Sequence, residues 1–369
     1  MSDNNNNKTT TGNPPPPKID KLLPNDPRVQ HAFYTIPSSR HNVTYHYLLA
    51  SPSDNPPRGT VLLIHGFPDL SFSWRYQVPH LLSLGLRVIV PDMPGYGRSS
   101  APEKLEAYSM RTVCEDLVQL VRHVQGKKDG EDVEKVVIGG HDWGGMVVWR
   151  MVLWFPEVVS GVFSVCTGFY PPREEYFAPE QVVKRLPNFG YQVQFAGNEV
   201  EGKVTSREAV GGFLRGMFGG RRKDDGKVVF KPTDGVLLDR LLEDPNKVGP
   251  SPLLDEAEME FYADEYMRNG LRGPLCWYKT GRINFEEELE LLKRGKTRVT
   301  MPALYIGATR DVVLPPWMMA NMGKYFDDLT TREVDATHWA LWEAAEDVNK
   351  HLTEFVEKVL GPPRLKASI

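Results

Sequence analysis

Four consecutive apolar residues, Val61-Leu62-Leu63-Ile64, closed at once by His65-Gly66, constrain this chain more than any other feature. Neither alternation nor helical spacing is present, so both faces of the segment must be covered, as in a central strand of a parallel sheet. Similar short runs recur at 87–90, 136–138, 162–165 and 303–306, and more weakly at 332–334, while Val43-Thr44-Tyr45-His46-Tyr47-Leu48 alternates. Amphipathic helical patterns fill the gaps at 74–84, 112–124, 145–154 and 347–360, the last closing with Lys358 and Gly361-Pro362. Strand–helix alternation of this kind predicts right-handed crossovers and a mostly parallel sheet flanked by helices.

The alternation breaks between 170 and 296. That stretch opens at Pro171-Pro172 and reads as helices joined by Gly-rich and charged loops, with Asp255 and Glu258 as a capping box for a helix ending at Asn269-Gly270. The expected organisation is a disordered polar tail over 1–26, a core over 27–169 and 297–362, and a helical cap over 170–296. The tail, an Asn run followed by Pro14-Pro15-Pro16-Pro17, is not a signal peptide, and no apolar stretch is long enough to span a bilayer. A net charge of −4 with interleaved signs gives no footprint for nucleic acid, and Arg221-Arg222-Lys223-Asp224-Asp225 reads as a solvated loop. Three scattered cysteines fit a reducing compartment such as the cytoplasm, and Ala367-Ser368-Ile369 is a poor peroxisomal address.

Gly140-His141-Asp142-Trp143-Gly144 follows one strand and opens a helix. This is the nucleophile elbow of the α/β-hydrolase fold, in the strand–turn–helix context that makes the motif specific. An Asp at its apex is already an anion at neutral pH and suits attack on a saturated carbon. The resulting ester must then be cleaved by water, which requires a base and an oxyanion hole. His338, before the C-terminal helix, is the best base, and Asp311 after the 303–306 strand would orient it, in the fold's chain order of nucleophile, acid and base. The amides of Phe67 and Trp143 are the expected oxyanion donors. Asp335 is a rival acid, read as a strand-end residue; His65 and His141 read as structural. His31, His41 and His46 lack companions at ligand spacing, so no metal is expected.

The stretches His65-Gly66-Phe67-Pro68-Asp69, Ser73-Trp74-Arg75-Tyr76-Gln77, Asp92-Met93-Pro94-Gly95-Tyr96-Gly97, the elbow, Arg272-Gly273-Pro274-Leu275-Cys276-Trp277-Tyr278 and His338-Trp339 resemble soluble epoxide hydrolases from about residue 27 to 360. The resemblance implies an α/β-hydrolase fold with an eight-stranded, mostly parallel sheet and an inserted helical cap. It implies that Tyr191 and Tyr278 donate hydrogen bonds to an epoxide oxygen, in a pocket lined by Phe67, Trp143, Phe189 and Trp277. It also implies no cofactor: the partners are a small hydrophobic epoxide and water, with a homodimer left open. Cys276 stands where the family commonly has Asn, and Thr337 where Gly is usual. The polar tail leaves no room for the phosphatase domain of the mammalian soluble enzyme. A dehalogenase would share the three catalytic residues, but Phe67 offers no side-chain donor for a halide and paired phenols suit an alkoxide. A non-catalytic receptor would not need Asp142, Asp311 and His338 together.

Overall fold

The computed structural model describes residues 19–37, 41–53, 56–128 and 131–362. Strands β1 (Gln30–Thr35), β2 (Thr44–Ala50), β3 (Gly59–Ile64), β4 (Leu86–Pro91), β5 (Val136–His141), β6 (Val159–Val165), β7 (Ala303–Ala308) and β8 (Leu329–Val334) form one sheet in the order β1-β2-β4-β3-β5-β6-β7-β8. Only β2 runs against its neighbours; every pairing from β4 to β8 is parallel. Val61, Leu62, Leu63 and Ile64 have no solvent exposure, as a strand covered on both faces requires. The edge strand β1 was not legible, because Gln30-His31-Ala32-Phe33-Tyr34-Thr35 carries two polar residues at its start and exposes Phe33. It is held by its pairing with β2, Phe33 lying opposite His46.

Helices α1 (Gln77–Ser83), α2 (Met110–Val124) and α3 (Trp143–Trp154) fill the crossovers. Helix α2 starts where Ser109 accepts a hydrogen bond from the Thr112 amide, satisfying one of the orphan donors of a first turn. The predicted 74–84 helix is two pieces, a 3₁₀ turn over Ser71–Trp74 and then α1. Among the described residues no helix is long and apolar enough to cross a membrane.

Between β6 and β7 lie α4 (Gly190–Phe195), α5 (Arg207–Met217), α6 (Glu256–Asn269) and α7 (Gly281–Lys293), with shorter turns between them and one two-residue ribbon. Asp255 and Glu258 form the expected reciprocal box, and Gly270 ends α6 at φ 66°, where a β-carbon would be strained. Arg222, assigned to a solvated loop, is buried with its guanidinium on Asp224 and the Arg240 carbonyl. A guanidinium so engaged no longer needs water, which is why charge alone misplaced it.

Three ion pairs, those of Arg75 and Arg150 buried, tie this helical layer to the segments after β3 and β4 and to α3. Arg75 meets Glu258 at 2.9 Å, Arg150 meets Glu288 at 2.6 Å and Arg98 meets Glu265 at 2.9 Å. Removing one partner of such a pair costs about 3–5 kcal/mol, because the other charge is stranded. Contact is closest where Gly95 (φ 92°) meets Gly273: a β-carbon on Gly95 would lie 2.5 Å from the Gly273 backbone.

The expectation of a disordered tail reaching residue 26 fails over 19–26. Leu22 is 1% exposed and donates its amide to the Arg75 carbonyl at 2.8 Å, while Lys21 reaches Glu258 at 2.8 Å. Asp26 then accepts the Leu23 amide and the Arg28 guanidinium. One buried leucine and a turn closed by Asp26 outweigh the polar composition. The tail's first 18 residues and the C-terminal tripeptide lie outside the described residues. Helix α8 (Ala345–Leu360) closes the fold, with Gly361 at φ 77°.

Candidate active site

Strand β5 delivers His141 and α3 begins at Trp143, leaving Asp142 alone on the bend at φ 53°, ψ −122°. That conformation is costly for a residue with a side chain and persists only where the surroundings enforce it. The enforcement is steric. A β-carbon on Gly144 would sit 2.0 Å from the Ile64 carbonyl oxygen, and one on Gly66 would sit 2.3 Å from Asp142 itself. The bend aims the carboxylate away from β5, and the Phe67 amide donates to its Oδ1 at 2.7 Å. Trp143, the first residue of α3, has an amide with no acceptor inside its own helix.

Behind the carboxylate, His338 brings Nε2 to 3.4 Å from Asp142 Oδ2 and donates from Nδ1 to Asp311 Oδ2 at 2.7 Å. Asp311 is 3% exposed, and its Oδ1 accepts the Val313 and Leu314 amides at 2.8 and 2.9 Å. Burial disfavours both carboxylate charges, but the His338 imidazolium and these amides outweigh it, holding Asp142 and Asp311 below their usual range. Burial pulls His338 down; Asp311 and Asp142 overcome it and hold the imidazole well above its ordinary value. The imidazole thus lies between two carboxylates that both favour its protonated form. Asp335, the rival acid, is turned outward onto Arg310 at 2.7 Å with its side chain 84% exposed.

Tyr191 on α4 and Tyr278, just after the short helix Arg272–Cys276, both come from the helical layer, near enough to Asp142 to feel its charge. Their rings meet at 5.9 Å, and Tyr278 packs edge-on against Phe67 at 5.4 Å and Trp143 at 5.2 Å. Burial raises both phenols, and the Asp142 charge raises them further, so both keep their protons across the neutral range. Phe195 and Phe213, which sequence reasoning missed, pack on Phe67 at 5.2 and 6.2 Å. Their signal was the apolar face of two short helices in a region without strand periodicity. Phe189 is half-buried at the head of α4; Trp277 is fully buried, its indole N–H on the Pro94 carbonyl at 3.1 Å, and approaches the site through Trp143 at 6.2 Å. Cys276 lies within hydrogen-bonding reach of the Tyr108 hydroxyl.

The flanking histidines are engaged in the scaffold. His65 accepts the Met93 amide on Nε2 at 2.9 Å and contacts the Gly66 carbonyl through Nδ1 at 2.8 Å. His46 links His31 to Asp92, the carboxylate that organises the loop after β4. His141, Cys166 and His338 bring ligand-type atoms within 4.8 Å of one another. In that trio, however, His141 and Cys166 both direct their protons at the His338 carbonyl, and the His338 ring is occupied by two carboxylates. His141 Nδ1, on the far side of the ring, is buried without a hydrogen-bond partner.

A family model described as the α/β-hydrolase fold matches residues 59–345. The chain is 44% identical over 350 residues to epoxide hydrolase srdG of Neurospora crassa, covering 92% of this chain and 99% of that protein. It is 33% identical to the bifunctional epoxide hydrolase 2 of Mus musculus across 94% of this chain, but spans only 58% of that longer protein. Among solved structures, epoxide hydrolase A of Mycobacterium thermoresistibile superposes with a TM-score of 0.70 at 27% identity, covering 89% of this chain and 98% of that one.

Proposed function

The chain belongs to the epoxide hydrolase family of the α/β-hydrolase fold, and from that membership we propose that it opens small hydrophobic epoxides to vicinal diols through an ester of Asp142. The observation that carries this reading is the buried Asp142 carboxylate on the Phe67 amide, with Tyr278 packed edge-on against Phe67 and Trp143 and the Tyr191 ring 5.9 Å from that of Tyr278. A carboxylate nucleophile needs a leaving oxygen that is protonated as it departs, and phenols of raised pKa are suited to supply that proton.

In this reading residues 170–296 act as the cap over the sheet, and the substrate binds between the two. Tyr191 and Tyr278 bind the ring oxygen while Asp142 attacks one ring carbon from the far side. The C–O bond breaks, and the alkoxide takes a proton from a tyrosine. Asp142 thereby loses its charge. His338 was held protonated by two carboxylates; with one of them neutralised its affinity for a proton falls, and that proton passes to the tyrosinate left by ring opening, which restores the phenol and frees His338 to act as a base. Alkylation thus prepares the residue needed next. His338, oriented by Asp311, takes a proton from water; hydroxide attacks the ester carbonyl, and the oxyanion forms where the Phe67 amide already holds Asp142 Oδ1, with the Trp143 amide as second donor. Collapse expels the second alkoxide, which takes the proton of the Asp142 carboxyl, so the diol leaves and both the carboxylate and the protonated His338 are restored. No cofactor enters this scheme. The ring of Phe67 meets Phe195 and Tyr278 and offers a halide no donor, which favours an epoxide over a haloalkane.

The test is His338→Gln soaked with aryl and alkyl epoxides beside bromoalkanes. Intact-mass spectra should show an epoxide adduct that peptide mapping assigns to Asp142. A single turnover of the wild type in heavy-oxygen water should label that carboxylate before the diol. Label entering the diol directly, or an adduct with bromoalkanes alone, refutes the reading.

A further inference from the structure

Asp142 and His338 stand on separate loops, and the side-chain contact between them is a long one of 3.4 Å. In the proposed reaction, on which this inference rests, that contact is lost when Asp142 becomes an ester, yet the base must stay in register with it. The main chains of both residues are gripped by one other element. At the end of β6, Thr167 Oγ1 donates to the Asp142 carbonyl at 2.8 Å, and the neighbouring Cys166 thiol approaches the His338 carbonyl at 3.5 Å. His141, one residue before the nucleophile, places Nε2 at 2.8 Å from the same His338 carbonyl. A carbonyl only accepts, so Nε2 carries the proton. Burial, then the nearby His338 charge, lowers His141 to about 4, which keeps it neutral and in this role.

The Cys166-Thr167 turn is itself rigid. Cys166 has φ 65°, and the Thr167 amide returns to the Val165 carbonyl at 2.9 Å, a tight three-residue turn of the strained hand. The Cys166 amide remains in the sheet, donating to the Ile306 carbonyl at 2.8 Å, and the Thr167 carbonyl accepts from Ser164 at 2.6 Å and from the Trp149 indole at 2.9 Å. Cys166 is unexposed and Thr167 is 2% exposed. Backbone strain of this kind persists where surrounding contacts over-determine it, and it clusters at functional sites.

We infer that the Cys166-Thr167 turn and His141 are positioning residues: a splint that fixes the main chain of the nucleophile to the main chain of the base, so that their register survives esterification. None of the three touches the reacting atoms.

The experiment compares Thr167→Val, which keeps shape and removes the hydroxyl, with Thr167→Ser, which keeps it, alongside Cys166→Ala and His141→Phe. Rapid-mixing single turnovers with styrene oxide separate ester formation from ester hydrolysis. Loss of one hydrogen bond is expected to slow hydrolysis by about fivefold in Thr167→Val, with ester formation changed by less than about twofold. Thr167→Ser should restore the wild-type rate. A second readout needs no turnover: nitrogen-resolved NMR titration of His338 in the free protein should show its pKa lowered in Thr167→Val and restored in Thr167→Ser. Equal slowing of both half-reactions in Thr167→Val, or a His338 titration identical to wild type, overturns the splint. The titration separates the two ideas. If it shifts while no Asp142 ester is ever trapped, the main-chain coupling of Asp142 to His338 stands and the ester reading falls; if the ester is trapped and the titration does not move, the splint falls and the ester reading stands. Should His141→Phe fail to fold, the threonine pair and Cys166→Ala decide alone.

Discussion

Replacing Asp311 by Asn tests the arrangement behind the nucleophile with almost no change of shape. Asp311 Oδ1 accepts two amides, from Val313 and Leu314, and Oδ2 accepts the His338 Nδ1 proton at 2.7 Å. The amide oxygen of Asn must stay with the two backbone donors, so its NH₂ group faces His338. Two donors cannot meet, and the imidazole must move its proton to Nε2, leaving no lone pair aimed at water. The lost charge-assisted hydrogen bond is worth about 1.5–3 kcal/mol, or roughly 10- to 150-fold in rate. The wrong tautomer adds to this, toward the roughly 10⁴-fold loss reported when a triad carboxylate becomes an amide. Asp311→Asn should therefore slow ester hydrolysis by about 10²- to 10⁴-fold and allow the ester to accumulate. Trp143 adjoins the nucleophile, so stopped-flow tryptophan fluorescence should show a full burst followed by a very slow recovery, with intact mass confirming the adduct. Hydrolysis within about twofold of wild type, or a defect confined to ester formation, would refute the reasoning.

Tyr278→Phe and Tyr191→Phe should each slow ester formation by about 10- to 100-fold with little change in KM, since each removes a donor to a developing alkoxide; an effect on KM alone would make that ring a pocket wall. Gly144→Ala should lower stability by about 3 kcal/mol or prevent folding, because the added methyl meets the Ile64 carbonyl at 2.0 Å and strand backbone cannot give way; a normal melting curve would contradict the elbow's geometry. Asp116 is buried on α2 beneath the Tyr45 hydroxyl, and burial pushes it up to about 7. The folded chain therefore keeps a proton that the unfolded chain has lost, so this group weakens the fold as pH rises from the ordinary carboxylate value through about 7. Asp116→Asn removes that penalty, and its Tm should gain on the wild type between about pH 5 and about pH 8; parallel pH profiles would count against it.

The sheet was legible because covered strands leave continuous apolar runs: 61–64, 136–138 and 303–306 each fall inside an observed strand. Strand β1 was not, since an edge strand is specified by its partner more than by its own pattern. The elbow could be read from its glycines, which answer to local sterics. The juxtaposition of Asp142, Asp311 and His338 followed from chain order in this fold, and the structure brings the three together. Cys166 and Thr167 carry no such mark. Their importance comes from a bend in the backbone at the end of β6 and from two carbonyls far away in sequence, and neither leaves a trace in residue spacing. Arg222 and the 19–26 segment were misjudged for one reason: polarity was taken as exposure, whereas a paired charge or one anchoring leucine can bury a polar stretch.

That segment carries a practical consequence. Lys21 shares Glu258 with Arg75, so the chain's N-terminal stretch is stitched to the same glutamate that fastens α6 to the sheet. Someone trimming the gene to begin at residue 27, on the ground that everything earlier is ballast, would cut that thread. The shortened protein should melt at a lower temperature, which a thermal denaturation scan beside the full chain would show.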